Sequence, residues 1–264
     1  MQDSEMAGKL TLEWSYSPAD FFEDPLKYDE DGWMVEIGNG RAVATFSGVA
    51  GEHIENACRE RHEEVNARFL GAQLINHQPY QLSDYKTTRA RPDGSVEVGI
   101  RAGATLRMSD GRCDVVIRDA AGNVTTDTKT ERVETRKEFA RRASKHSKDP
   151  LVLSLLKSYN AAVNDPQNEL IHLYEIRDAL KTKFGGDKRA RSTLGISKQL
   201  WKTMGRLADK ASLSQGRHRG QALGQLQDAT PTELDKARKI ARSMIIACFD
   251  YLDKSASGGP TQAA

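Results

Sequence analysis

Cysteine is scarce in this chain. Cys58, Cys113 and Cys248 are far apart and form no CxxC pair, which excludes a disulfide framework and a zinc ribbon and suits reduced thiols. Long apolar runs are missing as well. The longest, Met244 to Phe249, falls far short of the roughly 18–20 residues that a spanning helix needs, so no membrane span is expected. The opening residues MQDSEMAGKL hold neither the basic start nor the apolar stretch of a secretory signal, and the expected compartment is the cytoplasm. Cofactor fingerprints are also wanting. Gly38-Asn39-Gly40 has no glycine three positions beyond it and no helix opening behind it, so it reads as a hairpin turn and not a dinucleotide site. His53, Cys58 and His62 crowd one predicted helix, but a closed zinc site needs four ligands and Cys58 falls on an apolar stripe. Core packing is expected there, with no metal and no cofactor.

What is present is an ordinary polar chain with a split personality. Its 264 residues suit two domains, and 38% hydrophobic with 29% charged residues is neither disordered nor membrane-like. The net charge of +2 hides an asymmetry: residues 1–125 carry 13 Lys and Arg against 21 Asp and Glu, and residues 126–264 carry 26 against 16. Opposite signs in the two halves allow mutual attraction between domains or subunits, or contact of the basic half with a polyanion.

The first half reads as short antiparallel strands with a helix laid across them. Trp33–Ile37 and Arg41–Phe46 flank an Asn-Gly turn. Arg91-Pro92-Asp93-Gly94 links a strand over 80–90 to an alternating strand over 95–108, and Ser109-Asp110-Gly111 links that to 113–118. Apolar residues at three-to-four spacing from Ile54 to Ala72 predict a helix over about 51–72. After Asn123 the period becomes helical. A charged helix over about 126–148 reads as a connector, which divides the chain into an α+β sheet domain at 1–125 and helices at 149–254, with a disordered tail over 255–264. Asp149-Pro150, Asp165-Pro166 and the Thr230–Glu233 capping box mark helix starts. Four amphipathic stripes, led by Leu151, Leu170, Leu200 and Leu234, bury one another best as a four-helix bundle.

One stretch stands apart: LSQGRHRGQ, residues 213–221, between the third and fourth stripes. The segment from Ser212 to about Ala229 is longer than a bundle connection requires. Arginine offers a planar fork of donors to phosphate and histidine titrates near neutral pH, so Arg217, His218 and Arg219 can hold a phosphodiester and move a proton. A solvated basic loop is the plain alternative. Lys210 precedes the stretch, and Lys188, Arg189 and Arg191 are placed at the far end of the third helix as further phosphate contacts.

Four up-and-down helices, Tyr174-Glu175-Ile176-Arg177 in an early one and Arg217-His218 ahead of the last, resemble a HEPN domain. That family of small helical bundles is found in bacterial toxins, abortive-infection systems and other RNA-processing or defence proteins. Its active members are metal-independent endoribonucleases working as dimers. The resemblance implies that Arg217 neutralises a scissile phosphate. It also implies a closing histidine near Ala222, Leu223 or Gly224, where the chain has none, leaving His218 as the acid or base. Arg141 and His146 have matching spacing but lie in the connector. The expected function is binding of RNA or another phosphate ligand, with endoribonuclease activity as a further step and a homodimer as the working form. The alternative is a non-catalytic protein-interaction module that dimerises through the bundle.

Overall fold

In the first strand, β1 (Lys9–Ser17), every second residue is apolar, and Leu10, Leu12, Trp14 and Tyr16 are all buried. The computed structural model describes residues 9–30, 32–47, 54–90, 96–99, 114–118, 121, 123–210, 212–221 and 226–257. The strands β2 (Leu26–Glu30), β3 (Trp33–Gly38), β4 (Arg41–Ser47), β5 (Gln81–Leu82), β6 (Lys86–Ala90) and β7 (Val96–Gly99) join β1 in one antiparallel sheet ordered β2-β3-β4-β1-β6-β7, with β5 also on β1. The β3–β4 turn has Asn39 at φ 53° and Gly40 at φ 79°, the positive angles that a two-residue hairpin demands and that Asn-Gly tolerates. Helix α1 (Ile54–Asn76) adds Cys58, Val65, Phe69 and Ala72 to the core formed by the sheet. It runs one turn beyond the expected end.

The strand expected over 95–108 is described only as β7, and the turns at 91–94 and 109–111 and Cys113 lie outside the described residues. The expected strand over 80–90 is broken into β5 and β6, and β8 (Val116–Arg118) pairs with β9 (Val124–Asp127) as a separate ribbon.

The helix α2 (Thr128–Lys145) corrects the connector reading. Val133, Phe139, Ala140 and Ala143 are buried, and the chain divides into compact units at Ser144/Lys145, with α2 almost wholly in the first. Charge conceals this face because one of its buried side chains is a cation. Arg136 donates from Nη1 to the Phe21 carbonyl at 3.0 Å and from Nη2 to Glu23 at 2.9 Å. Hydrogen-bonded and paired in this way, a guanidinium can be buried where a lone charge could not.

His62 of α1 is also explained by the core. The Trp14 indole donates to its Nδ1 at 2.8 Å, which requires that nitrogen to be unprotonated. Burial lowers the His62 pKa from 6.5, so the unfolded chain takes the proton first. The contribution of His62 to the stability of the first unit is then complete above pH 6.5 and is lost as pH falls through that value toward the folded pKa. Denaturation of the chain at neutral and acid pH should show this slope, and His62→Asn, which keeps an acceptor near Nδ1, should flatten it.

The second unit, residues 145–264, is helical throughout its described elements. The helices α3 (Pro150–Asn164), α4 (Glu169–Lys183) and α7 (Pro231–Ser257) pack on one another, and the short helices α5 (Asp187–Leu194) and α6 (Lys198–Gly205) both touch α4 and α7. The expected third helix is thus two. Gly195 at φ 67° ends α5, and the Ser197 side chain accepts from the Leu200 amide to start α6. Lys188, Arg189 and Arg191 therefore sit on a helix of their own. After α6 comes a π-helical turn, Arg206–Lys210.

The predicted caps divide in outcome. Asp149 accepts from the Val152 amide at 3.0 Å, and Thr230 and Glu233 bond reciprocally at 2.9 and 3.2 Å. Asp165 instead opens a short 3-10 turn over Pro166–Asn168, with its carboxylate taken by Asn168 at 2.7 Å and by His172 at 3.2 Å. No helix among the described residues is long and apolar enough to cross a membrane.

Candidate functional site

Helical spacing puts Tyr174, Arg177 and Asp178 on one face of α4, since residues three and four apart are neighbours. Arg177 is the centre of the arrangement. Its guanidinium carbon lies 5.0 Å from the Tyr174 ring centre and 5.1 Å from that of Trp201, Nη1 donates to the Tyr174 hydroxyl at 2.5 Å, and Nη2 is 3.3 Å from Asp187. Gly205 lies alongside it, and a Cβ there would stand at contact distance, 3.4 Å from Arg177 Nη1.

Along α6 and the π turn, Lys198, Lys202 and Arg206 recur every fourth residue and so share a face. Together with Arg177, Asp187, Arg191, Trp201, Gly205 and Asp209 they line a cleft of about 510 Å³. Among the described residues, cations outnumber carboxylates there by five to two. Trp201 is 2% exposed and, among the described residues, its indole N–H meets no acceptor and Arg177 Nε–H and Asp187 Oδ1 have no partner.

The GRHRG stretch is pinned beside this cleft, which argues against a loosely solvated loop. Ser214 donates to the Gln227 carbonyl at 2.9 Å, Gln227 to Ser212 at 3.1 Å, the Ala229 amide to Gln215 at 2.9 Å, and the Arg217 amide to Ala208 of the π turn at 2.8 Å. Arg217 lies over the Tyr174 ring at 4.3 Å, and its Nη1 is 3.4 Å from Asp209 Oδ1 and 3.5 Å from Asp178. His218 Nε2 is 3.2 Å from the same Asp209 oxygen. Burial, and the hydrogen bond its hydroxyl donates to Asp209, hold the Tyr174 pKa above the ordinary tyrosine value.

Of the residues singled out from sequence, Arg217, His218 and Arg191 come to this end of the unit. Arg219 is turned to other work, donating to Asn168 at 2.6 Å and to the Ser214 carbonyl at 3.1 Å. Lys188 and Arg189 are exposed on α5 and do not line the cleft. The Lys210 side chain and residues 222–225, where a closing histidine was sought, lie outside the described residues. Arg141 pairs with Glu138 at 2.8 Å, and His146 pairs with Asp253 at 3.0 Å and stacks on Phe249. Both are thereby accounted for by local packing. Sequence reasoning passed over Lys198, Lys202, Arg206 and Asp209. The four-residue repeat of the three cations was the available signal.

No family model matches the chain, nor does any curated protein or solved structure.

Proposed function

We propose that the helical unit binds RNA or another phosphate-bearing ligand at the α5–α6 cleft and the loop beside it. The observation that carries this reading is an excess of cations over carboxylates among the described residues of the cleft. Arg191, Lys198, Lys202 and Arg206 line one cleft, and among the described residues none of them makes a close salt bridge, Arg206 acting on Glu233 only at longer range. Like charges so gathered repel one another in the free protein, and a polyanion relieves the repulsion. The resemblance to HEPN bundles points the same way, with Arg217 as a phosphate contact.

Salt is the direct test. Each phosphate contact with a single strand contributes about 0.7 to the slope of log affinity against log salt, so Lys198→Ala/Lys202→Ala/Arg206→Ala should flatten that slope by about 2. Nucleic-acid affinity that is unchanged in the triple variant would count against the cleft.

A second reading, metal-independent endoribonuclease, is favoured by one contact set: His218, with a side chain 44% exposed, shares Asp209 Oδ1 with Arg217, which lies over the Tyr174 ring. In such a step the ribose 2′-oxygen attacks phosphorus, the P–O5′ bond breaks, and His218 carries the proton while Arg217 neutralises the charge that builds on phosphate. His218→Ala should then abolish cleavage and leave RNA retention in place. Failure of the purified protein to retain RNA at low salt favours the non-catalytic interaction module, for which sedimentation should report a dimer.

A further inference from the structure

Tyr174, Arg217 and His218 come from two separate segments and aim their donors at a single carboxylate, that of Asp209. The contacts are long. Arg217 Nη1 and His218 Nε2 stand 3.4 and 3.2 Å from Asp209 Oδ1, where charge-assisted hydrogen bonds settle near 2.7–2.9 Å. The same unit shows what a permanent pair looks like: Arg238 grips Glu169 at 2.6 and 2.8 Å, and the Glu169 side chain is 1% exposed against 26% for Asp209. Arg217 is moreover divided between Asp209 and Asp178, and holds neither closely.

Position strengthens the contrast. Asp209 lines the cation cleft, so its carboxylate faces the same space as Arg191, Lys198, Lys202 and Arg206. It is carried on a π turn, a geometry that favours functional sites over plain scaffolding. The Arg217 amide is tied to that turn through Ala208, which fixes the loop's distance from the carboxylate. In the lining of the cleft, the Trp201 indole N–H and Arg177 Nε–H have no acceptor among the described residues. A ligand with several acceptor oxygens would supply what one carboxylate does not.

We infer that Tyr174, Arg217 and His218 form a site for a phosphoryl group, and that in the free protein the Asp209 carboxylate occupies the place of one phosphoryl oxygen. The inference rests on the reading of the cleft as a phosphate site and adds an internal competitor to it. Asp209 keeps the three donors aligned, and an incoming phosphoryl group displaces it. A phosphoryl group wins that exchange because it offers three oxygens in place of two, and the arginine fork suits it. Simple carboxylates gain nothing over Asp209, so the site discriminates against them.

Asp209→Asn keeps the side-chain shape and removes the competing charge. Wild type and variant are titrated at low salt with inorganic phosphate and with a short single-stranded RNA. The variant should bind both about tenfold more tightly, as expected for removing one partly screened charge close to the ligand. Adding Arg217→Ala to it should cancel the gain. Wild-type RNA binding with its salt slope, but no tightening in Asp209→Asn, overturns the competitor and leaves the cleft reading standing. Absence of binding to either probe in both proteins brings down the two together. Should Asp209→Asn fail to fold, wild type carries the test: saturating phosphate must shift the His218 ring resonances, assigned through His218→Gln, and unmoved resonances sink the inference.

Discussion

Arg238→Ala is expected to lower the stability of the helical unit by about 3 kcal/mol, the scale for removing one partner of a buried ion pair. Arg238 of α7 holds both oxygens of Glu169, the first residue of α4, and Glu169 is 1% exposed. The same bonds raise the Arg238 pKa above its ordinary value, so its charge is fixed at every practical pH. Truncation leaves a carboxylate out of water without its bidentate partner. Arg242, bonded to the neighbouring Tyr159 hydroxyl, offers partial relief, which keeps the loss at the lower end of the range. Trp201 is the sole tryptophan between residues 145 and 264, so the part of the fluorescence change that is lost in a Trp201→Phe control reports denaturation of this unit. The double variant Glu169→Leu/Arg238→Met should recover most of the loss, because an apolar pair of similar volume avoids desolvating two charges. A single-variant loss below about 1 kcal/mol would mean that the pair behaves as a surface bridge.

That pair shows where sequence reading stops. Local rules found what local chemistry decides: the Asn39-Gly40 hairpin, the Asp149 cap and the Thr230–Glu233 box each depend on residues within three or four positions. Long-range partners are another matter. Arg136 reads as one more exposed charge until Phe21 and Glu23 are seen to receive it, and with it the buried face of α2 was missed. The candidate site divides along the same line. Lys198, Lys202 and Arg206 are visible as a face because α6 and its extension keep a near-helical period. The meeting of Asp209 with Arg217 is not, since it depends on a π turn that shifts the register by a fraction of a turn and on a loop folded back through Gln227 and Ala208.

Gly71→Ala is expected to destabilise the sheet unit by about 2–3 kcal/mol, although alanine in a helix interior ordinarily gains about 1 kcal/mol over glycine. The sign is decided by what lies opposite. A Cβ at Gly71 of α1 would meet the Phe139 carbonyl oxygen of α2, with the Phe139 carbonyl carbon at 2.8 Å and the Ala143 Cβ at 2.7 Å. Backbone cannot turn aside as a flexible side chain can, so α2 must move as a body. Its displacement strains Arg136, whose bonds to Phe21 and Glu23 fix α2 against the segment after β1, and it opens the core around Phe69 and Ala140. Thermal or chemical denaturation followed through Trp14 and Trp33, in a Trp201→Phe background, reports this unit. A connector helix standing clear of the sheet would leave Gly71→Ala neutral or stabilising, so the direction of the change alone decides whether α2 is part of the first core.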